Sequence, residues 1–205
     1  MISFGHLLGP LIGYLIGSIS FSYIIVKKIK KVDIRQLGSG NAGATNTLRV
    51  LGIGPALAVL ALDILKGVIS VLIGMKLAID DSGIVPALSG LFAIIGHNWP
   101  LYYGFRGGKG VATTIGVLAT LVFFPALIAG ICAVLAIFIW RYVSLGSIIF
   151  TTLTPAFVLL FEYPNLYFYL AIIIALLSIW RHRSNIERLF KGTENKIGKK
   201  QREQG

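Results

Sequence analysis

Two glycine-rich segments and one histidine-bearing segment carry the side chains best suited to chemistry. The first reads Gly38-Ser39-Gly40-Asn41-Ala42-Gly43-Ala44-Thr45-Asn46-Thr47-Leu48-Arg49. Glycines let the backbone turn so that its N–H groups converge on an anion, and Ser39, Asn41, Thr45, Asn46 and Arg49 add side-chain donors. The pattern G-x-G-x-x-G with Asp63 downstream imitates a dinucleotide fingerprint, which needs a preceding strand and a βαβ unit around it. Here an apolar run precedes it and Asp63 falls inside another, so that reading is rejected. The plain alternative to an anion site is an ordinary turn in which Thr45 or Asn46 caps a short helix.

The second segment reads Gly96-His97-Asn98-Trp99-Pro100-Leu101-Tyr102-Tyr103-Gly104-Phe105-Arg106-Gly107-Gly108-Lys109-Gly110-Val111-Ala112-Thr113. A Walker A loop starting at Gly104 would need glycine and then lysine one place later than this sequence has them, with Ser or Thr next, so nucleotide hydrolysis is disfavoured. Gly107, Gly108 and Gly110 around Lys109, ahead of a helix starting near Val111, still supply flexible backbone donors, a positive charge and a helix N-terminus, for which phosphate is the natural ligand. The alternative, that Arg106 and Lys109 only fix membrane topology, leaves the clustered glycines unexplained. The third segment is Trp180-Arg181-His182-Arg183-Ser184-Asn185-Ile186-Glu187-Arg188-Leu189. In a continuing helix His182 and Asn185 share a face. An imidazole of pKa about 6.5 exchanges protons near neutrality or hydrogen-bonds an oxyanion, while a snorkelling basic collar is the simpler account of the same residues. His97 is a weaker candidate than His182, and His6 is read as incidental. Asp63 and Lys66, three apart in one apolar run, read as a structural pair beneath the site, and Ser144 brings one more hydroxyl to its level. No carboxylate pair and no cluster of metal ligands accompanies them, so neither a metal nor a cofactor is expected. Cys132, the single cysteine, is assigned to packing.

The elements that must position these residues follow from composition. Of 205 residues 56% are hydrophobic and 13% charged, which predicts an all-α integral membrane protein. Seven apolar runs lie at roughly 7–26, 55–78, 84–96, 111–124, 126–140, 145–161 and 165–180, divided by charge or by prolines. The third and fourth are short. Lysines and arginines concentrate in connections 27–54 and 97–110, at Arg141 and after Arg181, whereas the intervening connections carry Asp80 and Asp81, no charge, and Glu162. This alternation predicts seven transmembrane helices with the N-terminus outside and the C-terminus cytoplasmic. One polytopic domain, 1–190, is expected, followed by a frayed basic tail, 191–205. The net charge of +11 then belongs to topology, to membrane lipids and to an anionic ligand rather than to nucleic acid. All three chemical segments fall on one membrane face.

Together the segments resemble the bacterial membrane acyl-phosphate:glycerol-3-phosphate acyltransferases, from the first helix to about Glu194. The likeness rests on Gly38-Ser39-Gly40-Asn41 with Gly43-Ala44-Thr45-Asn46 and Arg49; on Gly96-His97 with Pro100 and Phe105-Arg106-Gly107-Gly108-Lys109-Gly110-Val111-Ala112-Thr113; and on His182-Arg183 with Asn185-Ile186, Arg188-Leu189, Gly192 and Glu194. Arg141-Tyr142-Val143-Ser144-Leu145-Gly146-Ser147 also resembles the family's sequence. The resemblance implies seven helices, residence in the bacterial inner membrane and transfer of an acyl group from acyl phosphate to glycerol 3-phosphate at the cytoplasmic face. That would be the first step of phospholipid synthesis, linked to a phosphate acyltransferase that makes the donor. It implies that Ser39, Arg49, Lys109, His182 and Asn185 lie at the reaction centre. The general base stays open between His182 and the substrate's own phosphate. A small anion transporter is the main competing reading and a structural membrane scaffold the third, although neither an internal repeat nor a midplane site supports transport.

Overall fold

The apolar runs become helices, and among the described residues, 4–198 of this computed structural model, there is no strand. In chain order the helices are α1 Phe4–Gly17, α2 Phe21–Lys30, α3 Ala44–Leu51, α4 Ile53–Leu77, α5 Ile84–Asn98, α6 Val111–Leu121, α7 Phe123–Trp140, α8 Val143–Leu160, α9 Asn165–Arg181 and α10 Arg183–Phe190. Five stretches are long and apolar enough to cross a membrane: Phe4–Lys30, α4, Ile84–Tyr103, α7 and α8. Among the described residues the pair formed by α9 and α10, bent by 62°, makes a sixth when it is counted as one broken span. Helix α6, with 11 residues, rises only about 16 Å, well short of a ~30 Å hydrocarbon core. Large side chains such as Ile139 (63% exposed) and Phe138 (84% exposed) stand out from α7, as lipid-facing residues must.

The first apolar run is not one helix. It breaks at Ser18, Ile19 and Ser20, where the buried Lys66 amine of α4 donates to the carbonyls of Gly17 (2.9 Å) and Ile19 (2.8 Å). Those carbonyls would otherwise be orphaned at a helix end in an apolar surrounding. Close packing fixes the neighbours. A side chain at Gly13 or Gly17 of α1 would place its Cβ 2.2 or 2.1 Å from the backbone oxygens of Ser89 and Ala93, so α5 lies directly against α1. Gly67 and Gly116 bring α4 and α6 together in the same way, with would-be Cβ atoms 2.4 and 2.1 Å from the oxygens of Thr113 and Ile64. Such contacts between small residues take the place of a hydrophobic driving force inside a bilayer. Val71, Leu91, Ile94, Val117, Leu118, Phe150 and Ile174 fill the core between α4, α5, α6, α8 and α9.

The expected tail, 191–205, is only partly within the described residues, and 191–198 is tied down rather than frayed. Gly192, at φ 69°, reverses the chain after α10, the Thr193 N–H returns to the Arg188 carbonyl at 2.8 Å, and the Ile197 N–H donates to the Arg141 carbonyl at 2.9 Å. Residues 199–205 lie outside the described residues.

Candidate functional site

Three polar segments meet at the end of the bundle that carries the N-termini of α4, α6 and α8 and the C-termini of α7 and α9. Asn46 organises the first. Its Oδ1 accepts from the Ser39 N–H (2.9 Å) while its Nδ2 donates to the carbonyls of Leu37 (2.9 Å) and Ile34 (3.3 Å). The amide is therefore a buried strut of the loop, not a free ligand donor as its place in the motif suggested. Arg35, paired with Asp33, donates to the Tyr103 carbonyl at 2.6 Å and so fastens the first segment to the second. The Tyr14 hydroxyl on the Trp99 carbonyl (2.9 Å) and the Leu101 N–H on Ser18 Oγ (3.2 Å) fasten the second segment to α1.

The glycines of the second segment act differently from the expectation. The Gly107 and Gly108 N–H groups donate to the carbonyls of Asn98 (3.3 Å) and His97 (3.1 Å), so neither is available to an anion. A Cβ at Gly107 would sit 2.0 Å from the His97 oxygen and one at Gly108 2.1 Å from His97 Nε2, so these positions serve close approach. Gly108 is buried away from the cavity. Gly40 likewise donates its N–H to the Leu37 carbonyl at 3.0 Å. Gly110, at φ 80°, starts α6, and Thr114 is the first residue of that helix whose N–H returns to it. The N–H groups of Val111, Ala112 and Thr113 in the first turn of α6 are the donors left for a ligand.

Lys109 stands at the centre of the charge. Its amine donates to Asn185 Oδ1. Asn185 Nδ2 in turn donates to Glu194 Oε1 (2.7 Å), which also accepts from Ser144 Oγ (2.9 Å), while Arg188 Nε donates to the other carboxylate oxygen (2.7 Å). Burial pushes the Glu194 carboxyl up, but the hydrogen bonds from Asn185, Arg188 and Ser144 outweigh it and hold it below its ordinary value. Burial pushes the Lys109 amine down; Glu194 pulls it back up, Arg188, Arg181 and Arg49 push it down again, and the result is about 8. His182, buried at the bend between α9 and α10, has Nδ1 2.9 Å from the Ser178 carbonyl. In the neutral ring Nδ1 must then carry the proton, which leaves Nε2 as an acceptor.

Deeper, Asp63 lies 3.0 Å from Lys66 Nζ and 3.6 Å from His97 Nδ1, all three buried. Lys66 is committed to the α1–α2 break, so this trio supports the site from beneath. Asp63 and His97 reach the cavity wall and Lys66 does not.

One cavity of about 1230 Å³ joins the segments. Its polar end is lined by Ser39, Arg49, Lys109, His182, Asn185 and Ser144, and Gly40, Asn41, Thr45, Asn46, Gly107 and Gly110 also border it. Arg181, Arg188 and Glu194 line it as well, although residue spacing did not single them out as site residues. Arg181 holds the second segment through the carbonyl of Gly108 and lies over the Trp99 ring at 5.2 Å. The signal for Glu194 was available, since it is a lone carboxylate two residues after a glycine in a basic stretch. The other end of the cavity is apolar, with Ala119, Phe123 and Leu127 in its wall, and Leu57, Leu60 and Phe150 give the intervening wall the same apolar character. Among the described residues no group of three or more His, Cys, Asp or Glu side chains is placed to hold a metal ion.

Comparison with known proteins identifies the family. Residues 7–192 match the family model described as glycerol-3-phosphate acyltransferase. A glycerol-3-phosphate acyltransferase of Shouchella clausii is 64% identical over 194 residues, 93% of this chain and 95% of the relative. One of Halalkalibacterium halodurans is 66% identical over 191 residues, 91% and 93% of the two chains. Among solved structures, PlsY (YgiH), an integral membrane glycerol 3-phosphate acyltransferase, superimposes in its glycerol 3-phosphate form with a TM-score of 0.86 at 43% identity, covering 94% of this chain and 96% of that one. Its lysophosphatidic acid form gives 0.83 at 42% identity, covering 94% and 95%. A match of this identity running through all three polar segments and every long helix leaves one conclusion: the chain belongs to the glycerol-3-phosphate acyltransferase family.

Proposed function

We propose that the protein is an integral membrane enzyme that transfers an acyl group from acyl phosphate to the 1-hydroxyl of glycerol 3-phosphate, giving 1-acylglycerol 3-phosphate and inorganic phosphate. The observation that carries this is the division of one cavity into a cationic end and an apolar end. Substrates with a phosphate head and an acyl chain need both. An anion-conducting path would need polar lining throughout, and the far wall is hydrocarbon.

The chemistry requires little of the protein beyond positioning and charge. The glycerol oxygen attacks the acyl carbonyl carbon, a C–O bond forms, and the acyl–phosphate C–O bond breaks with its electron pair leaving on phosphate. Phosphate is a ready leaving group, so no covalent acyl-enzyme is needed. Arg49, Lys109 and the first turn of α6 hold phosphate, Ser39 orients the hydroxyl, and Asn185 with Glu194 and Ser144 fixes the Lys109 amine. The hydroxyl proton goes to His182 Nε2 or to a substrate phosphate oxygen. Three acidic or neutral partners among several cations keep the site net positive for two anionic substrates.

We further read α6 as the shortest of seven crossings, sheltered between α4, α5 and α7, with the N-terminus outside and the C-terminus, the site and the basic connections cytoplasmic. In a bacterial inner membrane that face meets soluble glycerol 3-phosphate and a donor supplied by a phosphate acyltransferase. Vesicle flux of labelled glycerol 3-phosphate, measured beside formation of acylglycerol phosphate, tests the enzyme against the transporter. Chemical conversion without flux is expected; flux without conversion overturns the reading.

A further inference from the structure

Helix-interior glycines destabilise a helix relative to alanine, so each needs a reason. Gly13, Gly17, Gly67 and Gly116 have one, because the backbone of a neighbouring helix lies where a Cβ would be. Gly130, in the middle of α7, does not: a Cβ there would meet nothing within 4 Å. It is only half-buried and it lines the cavity, on the same α7 face as Phe123, Leu127, Val134 and Ile137. That face runs from the polar level, where Trp140 precedes Ser144, to the far apolar end at Phe123. Gly130 lies about 15 Å along the helix from Trp140, close to the depth of one leaflet when the hydrocarbon core is ~30 Å. The missing side chain therefore leaves open space in the groove at the depth a long acyl chain reaches and a short one does not.

We propose that Gly130 is a specificity-determining residue, whose lack of a side chain lets long acyl chains pass along α7 toward Phe123. The inference rests on the acyl-transfer reading of the same cavity. A branched side chain at this position would project into the groove without touching the cationic end, blocking the distal carbons of a long donor and sparing a short one.

The test is turnover of octanoyl phosphate and hexadecanoyl phosphate by purified wild type, Gly130→Ala, Gly130→Val and Gly130→Leu in detergent, at saturating glycerol 3-phosphate. Gly130→Leu should lose about tenfold or more in kcat/KM for the long donor relative to the short one, with Gly130→Val intermediate and Gly130→Ala near wild type. Retained octanoyl transfer in the same variant shows that its fold and catalytic centre are intact. An unchanged donor ratio in both large variants would overturn the inference, and so would their aggregation, which would assign the glycine to packing. Wild type that converts neither donor would instead sink the acyl-transfer reading itself.

Discussion

At the scale of the residue, Lys109 gives the sharpest expectation. Burial and the neighbouring arginines leave its amine titrating at about 8, with Glu194 opposing them. It is charged below that value and neutral above it, so kcat/KM for glycerol 3-phosphate should fall as pH rises through about 8 in the free enzyme. Glu194→Gln removes the carboxylate that pulls the amine up, and the fall should begin at lower pH. A profile that stays flat well above this range would remove Lys109 as a phosphate contact. Steady-state kinetics should separate the others: Arg49→Ala chiefly raises KM, whereas Ser39→Ala and His182→Ala lower kcat by about 10²–10⁴-fold. The residue types needed for this chemistry were visible in the sequence because donors, glycines and a histidine cluster in three short segments. Their commitments were not. Ser144 spends its hydroxyl on Glu194, 50 positions away, and Asn46 spends its amide on the loop that carries Ser39. Spacing along a chain reports neighbours on one element, so partners brought from another element stay hidden.

At the scale of the element, the helices depend on close approach and on one buried ion pair. Gly17→Leu would drive a side chain into the Ala93 carbonyl, and overpacking of this kind costs about 1–3 kcal/mol or more, readable as a lower midpoint of thermal unfolding in detergent. Asp63→Ala leaves Lys66 buried with its counter-charge removed, a loss of about 3–5 kcal/mol, whereas Asp63→Asn together with Lys66→Met should recover part of it. Recovery to no extent would mean that Lys66 matters through its carbonyl contacts at Gly17 and Ile19 alone. Hydropathy revealed the longer apolar runs because about 20 apolar residues suffice to mark a span, whereas the short run that becomes α6 stood out only through its flanking charges. It could not reveal the break between α1 and α2, since the lysine that caps those carbonyls comes from α4. Nor could it reveal that 191–198 returns to the site, because the anchoring carboxylate sits in a stretch whose composition reads as solvated.

At the scale of the whole molecule, the proposed orientation, with the basic connections cytoplasmic, is open to direct labelling. In a Cys132→Ser background on intact cells, Ser82→Cys should react with a membrane-impermeant thiol reagent and Arg106→Cys only after permeabilisation; the reverse pattern would invert the topology. Charge alternation is the basis of this proposed orientation; the shared cavity could not be foreseen from sequence, because its wall is assembled from α4, α6, α7 and α8 at once. One reaction decides whether this cavity transfers acyl groups. Purified protein should convert glycerol 3-phosphate and acyl phosphate to 1-acylglycerol 3-phosphate with stoichiometric release of phosphate, and should not turn over acyl-CoA or acyl carrier protein thioester. Folded protein that makes no acylglycerol phosphate from acyl phosphate, or that makes it only from a thioester, would contradict the central claim.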